Sequence, residues 1–358
     1  MKSIIYLTRQ PFWGRAAGSW ARATALVRYL SKRTRLRVAY VGRAAAITED
    51  VRRRGLVVLP EFGAGASACA SALGRLLSDQ AAHACVFAEI ALSPLLEAVP
   101  SEVKLFLDTI DVVHEQAESF KRVGLVPPKS LSEAEEFAIF RRFDVVLAIQ
   151  EREHASVARA VGPERALCVP HPPPLRKREL RPVPRSVGLV ASAWRANVEA
   201  LSWFLAEIWP RVERPGLTFD VYGSVKRAHT GAVPPSVKLH GVVPRLDAVY
   251  DSVDVVVNPV RCGAGLKIKS VEALGAGLPL LTTSEGARGL ERAAGRAFLV
   301  ADDAETFAAA LNRVLDDSAE RERLAREGHA FAESTLSPAA CFDGLLRELE
   351  SPRRYLSQ

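Results

Sequence analysis

Between Asn258 and Gly277 the chain reads NPVRCGAGLKIKSVEALGAG. Two ammonium groups, on Lys267 and Lys269, and one carboxylate, on Glu272, follow the glycines Gly263 and Gly265. These residue types at this spacing suit a phosphorylated ligand. Glycine lets the backbone approach a phosphate closely, and the free N–H groups and dipole of a helix start favour its negative charge. Glu272 stands seven residues after Gly265, two helical turns on and on the same face, as a fixed hydrogen-bond acceptor. The alternative is a βαβ unit whose glycines only turn the chain, and the local chemistry leaves both readings open.

A second constellation is Asp108-Thr-Ile-Asp111-Val-Val-His114-Glu115, at the end of the apolar run Lys104–Asp108. Acids and an imidazole at the carboxyl end of a strand point toward a cleft, although Asp108 and Asp111 equally suit caps for the next helix. A third is the loop Arg9–Gly18, with Pro11, Gly14 and Gly18, between a strand over 4–8 and a helix over 19–30. It lacks the GxGxxG pattern, so a dinucleotide fingerprint is not supported.

The elements that must hold these residues alternate along the chain. Strands are expected at 4–8, 36–41, 55–60, 84–89 and 104–108, with 144–150 as the last of the first half, and helices at 131–143 and 151–161. From Val169 to Arg185 the composition changes to VPHPPPLRKRELRPVPR, a stiff connector rather than part of a packed core. A second series follows: strands at 186–192, 217–222, 237–243, 254–258, 278–283 and 297–301, with helices at 197–213, 245–252, 303–316, 318–334 and 338–349. Two sets of alternating strands and helices predict two doubly wound parallel sheets of the α/β class. The expected division is 1–170, a linker at 171–185, a second domain at 186–337 and a final helix at 338–358 that packs back on the first.

Composition narrows the function classes. A length of 358 residues predicts two domains at about one per 150 residues. Five scattered cysteines without CxxC spacing argue against a disulfide framework and a zinc site, and fit a reduced, cytoplasmic compartment. No stretch approaches the roughly 18 apolar residues of a membrane span, and the start is not a signal peptide. The net charge is +7, but residues 1–54 hold thirteen Lys or Arg and two acids, so that block carries 13 − 2 = +11. Such density points to an anionic partner, a membrane surface or a polyanionic glycan; nucleic acid is not expected, because interleaved aromatics are sparse. A peripheral position on the inner face of a membrane is the corresponding expectation.

The motifs resemble the GT-B-fold retaining glycosyltransferases of family 4. The resemblance is carried by Pro259, by GAGLKIKSVEALGAGLPLLTT (263–283) with Gly286 beyond it, and by the helix from Asn197 to Trp209 after Ser192. In the first half it rests on RQPFWGRAAGSW (9–20), DTIDVVHEQ (108–116), SEAEEFAIFRRFDVVLAIQEREH (132–154) and VPHP (169–172), and it spans essentially the whole chain.

The resemblance implies two Rossmann-like domains facing a cleft. The C-terminal one binds a UDP- or GDP-linked sugar, the N-terminal one a glycan or lipid-linked acceptor, in surface polysaccharide or glycolipid synthesis. It implies no cofactor and no metal. Lys267, then Arg195, then Lys269 would face the diphosphate, with backbone N–H groups from Gly263, Ala264 and Gly265, and with Gly14 and Gly18 from the other domain. Glu272 matches the final Glu of the E-x7-E motif that holds the ribose hydroxyls; the first Glu is replaced by Ala264. Asp108 and Asp111 are the acceptor-facing catalytic candidates, His114 ranking below them. In a same-face mechanism the leaving phosphate takes the acceptor's proton, so no dedicated base is required. A GT-B shell that binds nucleotide sugar but has lost catalysis is the alternative, suggested by Ala264.

Overall fold

The computed structural model describes residues 1–13, 18–43 and 56–353, with the side chains of 18–19 and 62–65 outside the description. Gly14 therefore lies outside the described residues. The chain forms two α/β units. One comprises Met1–His114, Ser130–Pro170 and Pro338–Gln358; the other comprises Glu115–Lys129 and His171–Ser337.

The first unit holds a parallel sheet in the order β3-β2-β1-β4-β5-β6-β7. Its strands are β1 (Ser3–Thr8), β2 (Arg35–Val41), β3 (Leu56–Leu59), β4 (Ala84–Phe87), β5 (Lys104–Asp108), β6 (Val145–Ala148) and β7 (Ala166–Cys168). β1, β4, β5 and β6 are buried on both faces, which is why they read as continuous apolar runs. β7 was not expected, since 144–150 reads as the last strand of this half. Three residues, Ala-Leu-Cys, carry too little pattern, and only pairing with β6 defines them. The helix Pro338–Glu350 belongs to this unit: Asp343 accepts from Tyr29 Oη, and Glu348 pairs with the buried Lys104.

The second unit holds a parallel sheet in the order β10-β9-β8-β11-β12-β13. These strands are β8 (Ser186–Val190), β9 (Thr218–Tyr222), β10 (Val237–Gly241), β11 (Val255–Asn258), β12 (Leu280–Thr282) and β13 (Leu299–Val300). Val187, Phe204, Trp209, Phe219, Val257, Leu281 and Phe307 are among the residues of its core. The helix expected over 197–213 runs instead from Arg195 to Trp203, then through a π turn at Phe204–Ile208 and a 3₁₀ turn at Trp209–Arg211. Pro210 has no N–H for the α pattern and ends it.

Two boundaries differ from the sequence reading. Glu115–Lys129 clusters with the second unit because Phe120, fully buried, packs with Ala196 and Cys262. The connector has no helix or strand, yet it is strapped to the second unit rather than free. Pro173 and Pro174 lie against Gly275, Arg176 donates its N–H to Gly275 O at 2.9 Å, and Arg178 and Arg181 face Asp254.

Candidate functional site

In the second sheet the strand order reverses between β8 and β11, and the crevice at such a switch point is where ligands of open α/β sheets bind. The segments leaving the carboxyl ends of these two strands are Ala191–Trp194 with the helix Arg195–Trp203, and Pro259–Lys267 with the helix Ile268–Gly275. The topology thus places the 263–272 motif and Arg195 at one crevice.

Gly263 and Gly265 have φ of 133° and 68°, in the region that penalises a side chain. They fold the loop so that Lys267, the cap of the following helix, turns back over it. Lys267 Nζ donates to Ala264 O at 3.1 Å and to Gly265 O at 3.5 Å, and pairs with Glu285 Oε1 at 3.0 Å. The other oxygen of Glu285 pairs with Arg288 Nη2 at 3.0 Å, and Arg288 Nη1 donates to Gly263 O at 3.3 Å. The side chains of Lys267, Glu285 and Arg288 are 11%, 10% and 5% exposed. Gly263 N–H was expected to serve a phosphate. Here it donates to Ser119 Oγ at 2.9 Å, so it is already used.

Lys269 donates to Asn197 Oδ1, and Asn197 Nδ2 donates to Ser192 Oγ at 3.0 Å, which ties the cation to the segment after β8. One turn further, Glu272 Oε2 accepts from Tyr250 Oη at 2.8 Å. Lys269 and Glu272 each keep some exposed surface while their charged ends are enclosed. Burial pulls the Lys269 pKa down to about 7, with Lys267 adding repulsion and Glu272 opposing. Burial pushes Glu272 up to about 7, against the Tyr250 hydrogen bond and Lys269. Two enclosed titratable groups three residues apart on one helix, each shifted toward neutrality, mark this as a functional-site candidate. Arg195 is exposed as the first residue of its helix, and its Nη1 donates to Val126 O at 3.2 Å.

Below the loop, Asn258 Nδ2 donates to Ser270 Oγ at 2.8 Å, and Ser270 Oγ donates to Gly286 O at 3.0 Å. A Cβ on Gly286 would lie 1.9 Å from Thr282 Oγ1, so only glycine fits there. These buried bonds fix the turn at Glu285-Gly286 against the helix that carries Lys269 and Glu272.

The first-unit candidates are placed differently. Asp108 is fully buried, and its carboxylate accepts from Arg22 Nη2 at 2.8 Å and Nε at 2.9 Å. Burial disfavours the guanidinium, but Asp108 beside it holds the Arg22 pKa above its ordinary value. Asp108, expected to face the acceptor, is thus held in an internal ion pair. His114 Nδ1 lies 2.7 Å from Glu136 Oε2, and the buried Glu136 also accepts from the N–H groups of Val113 and His114. His114 and Glu136 thus close the start of the helix Val113–Arg122. Asp111 is half-buried, next to Ile110 at φ 61°, and its N–H donates to Thr109 O at 2.7 Å. Gly18 is the first residue of the helix Gly18–Leu30. Among the described residues no group of three or more His, Cys, Asp or Glu could hold a metal ion, and no helix is long and apolar enough to cross a membrane.

The structure thus brings Gly263, Ala264, Gly265, Lys267, Lys269 and Glu272 together. It adds Ser119, Asn197, Tyr250, Glu285 and Arg288, which sequence reasoning did not assign to the site. The signal available for two of them was Glu285 in the expected turn before Gly286 and Arg288 three residues on; nothing local marks Ser119 or Tyr250.

Comparison with known proteins bears on the same unit. Residues 184–317 match the model of the family described as Glycosyl transferases group 1. Over its whole length the chain is similar to HepE (Alr3699) of Anabaena, solved with UDP and glucose: TM-score 0.72, 16% identity, 98% of this chain and 99% of that one. A mutant of TarM from S. aureus, solved with fondaparinux, α-GlcNAc-glycerol and UDP, matches at TM-score 0.76 and 8% identity over 98% of this chain and 100% of that one. A curated relative, an uncharacterized 44.6 kDa protein in the cps region of Klebsiella pneumoniae, is 22% identical over 164 residues. That match spans 42% of this chain and 42% of that protein. The fold is GT-B, and the stretch that matches the group 1 glycosyltransferase model lies within its second unit.

Proposed function

We propose that the protein is a retaining glycosyltransferase that takes a sugar from a uridine-diphosphate donor and transfers it to a glycan or lipid-linked acceptor. The observation that carries the reading is the turn Gly263–Gly265, followed in one helical stretch by Lys267, Lys269 and Glu272 at the sheet's switch point. Transfer breaks the bond between the anomeric carbon and the diphosphate oxygen through a transition state with oxocarbenium character. The charge that develops on the diphosphate is what preorganised cations stabilise; Lys267 has first place in this role, then Arg195 and Lys269. Glu272 accepts from the ribose hydroxyls. The acceptor oxygen bonds to the same face of the sugar, and its proton passes to the departing phosphate oxygen, so the reaction needs no carboxylate base. UDP rather than GDP is favoured because HepE and TarM were solved with UDP.

The acceptor side is read from charge. Arg28, Lys32, Arg33, Arg35 and Arg37 are all exposed, and none pairs with a carboxylate among the described residues. Clusters of this size suit an anionic membrane surface, which would bring the enzyme to a lipid-linked acceptor. A nucleotide-sugar-binding shell without turnover is the second reading, favoured by Ala264 where the motif's first acid is missing.

The test is calorimetry with UDP and GDP, followed by release of UDP from UDP-sugars with and without acceptor lipids. Lys267→Ala and Glu272→Gln should each lower turnover per folded molecule at least tenfold, measured below their melting transitions. Normal transfer in both variants overturns the site assignment. Binding without turnover across donors establishes the shell reading instead.

A further inference from the structure

One carboxylate holds two of the cations at this site, and its placement suggests what it does. Lys267 and Arg288 are nearly covered, and each is bridged to Glu285 at 3.0 Å, one to each oxygen. The two cations therefore share a single acid. Without it, two like charges would sit next to each other with little water, an arrangement that is strongly destabilising. Two nearly covered cations placed this way require an internal counter-charge.

The backbone around Glu285 is pinned on both sides. Ser284 N–H donates to Asp302 Oδ1 at 2.7 Å and Ser284 Oγ to Asp302 Oδ2 at 2.6 Å. Gly286 N–H donates to Thr283 Oγ1 at 3.0 Å, and Ala287 N–H to Thr283 O at 2.9 Å. Only the Glu285 side chain need rotate for the cations to be released. The hydrogen-bonding capacity of Lys267 is meanwhile taken by Ala264 O, Gly265 O and Glu285. An ammonium has three N–H donors, so a phosphate oxygen can bind Lys267 only by displacing one of these partners. The carboxylate is the one on a side chain that can leave.

We propose that Glu285 is a stand-in for the donor's diphosphate: it neutralises Lys267 and Arg288 in the free protein and yields both to the incoming phosphates. Arg288 is then a further diphosphate-binding cation beside Lys267, Arg195 and Lys269. The exchange is favourable because a nucleoside diphosphate brings at least two negative charges where the carboxylate brings one. The same competition lowers affinity for the nucleoside diphosphate product and so eases its release. This rests on the reading of the 263–272 loop as a donor site.

The test compares Glu285→Gln with the parent, using calorimetry with UDP and GDP at fixed ionic strength and a melting curve without nucleotide. Glu285→Gln should bind the preferred nucleotide about five- to tenfold more tightly and melt at a lower temperature when empty. Arg288→Met should bind it about tenfold more weakly. Glu285→Asp, one methylene shorter and unable to span both cations, should tighten binding in the same direction by less, and it serves if the glutamine variant does not fold. Unchanged or weaker binding in a folded Glu285 variant overturns the stand-in role alone. A parent protein that binds neither nucleotide overturns this inference together with the donor-site reading.

Discussion

Replacing Asp108 with Asn removes one charge from a fully buried pair and leaves the shape of the side chain nearly unchanged. Arg22 and Asp108 are 1% and 0% exposed. The guanidinium spends Nε and Nη2 on Asp108, at 2.9 and 2.8 Å, and Nη1 on Val169 O at 2.7 Å. In Asp108→Asn the guanidinium keeps its carbonyl partner but loses its counter-charge, and an amide N–H can come to face another N–H. Breaking a buried pair from one side costs about 3–5 kcal/mol. For a unit of this size that corresponds to a fall of roughly 6–20 °C in its melting transition. Arg22→Met should cost a similar amount, because it leaves the carboxylate buried alone. The double variant Arg22→Met/Asp108→Leu should cost clearly less than the sum, since no uncompensated charge remains. Urea titration and scanning calorimetry of the three variants read the stability, and UDP release per folded molecule reads the chemistry below the melting transition. The reasoning is refuted if Asp108→Asn melts with the parent and has lost transfer; Asp108 would then be an acceptor-side group after all.

Nucleotide affinity should peak near pH 7. Below it, protonation of Glu272, which burial holds up to about 7, removes the acceptor for ribose hydroxyls; above it, Lys269, lowered to about 7, loses its charge. Glu272→Gln should abolish the acid limb and Lys269→Met the alkaline one, in calorimetric titrations across pH 5.5–8.5; flat profiles in the parent would contradict this. Gly286→Ala should destabilise by about 1–3 kcal/mol through overpacking, because its methyl would meet Thr282 Oγ1 at 1.9 Å. Adding Thr282→Ala should recover part of the loss in a thermal melt. Flotation with anionic liposomes at low salt should retain the parent, and Arg35→Glu/Arg37→Glu should bind at least about thirtyfold more weakly, at about 1 kcal/mol per cation. Neutral vesicles retaining both proteins equally would remove the charge-driven reading.

The alternation of strands and helices, and so the two parallel sheets, is legible in the chain because burial on both faces leaves continuous apolar runs such as Ile4–Thr8 and Val255–Val257. The glycine turn and its cations are legible too, since Gly263, Lys267 and Glu272 lie within ten residues of one another. β7 was missed because three residues carry no period. What the sequence could not determine is how distant groups pair. Asp108 reads as a cleft acid until Arg22, 86 residues away, is found on it. Gly263 reads as an anion donor until Ser119, 144 residues away, takes its N–H. A polar side chain at the end of a strand has the same local signature whether it meets a substrate or an internal partner. Only the packing of the remaining elements decides whether its hydrogen bonds are already used. Glu285 lies between these cases: its position in a turn was visible in the sequence, but the two cations it bridges were brought together by the tertiary structure.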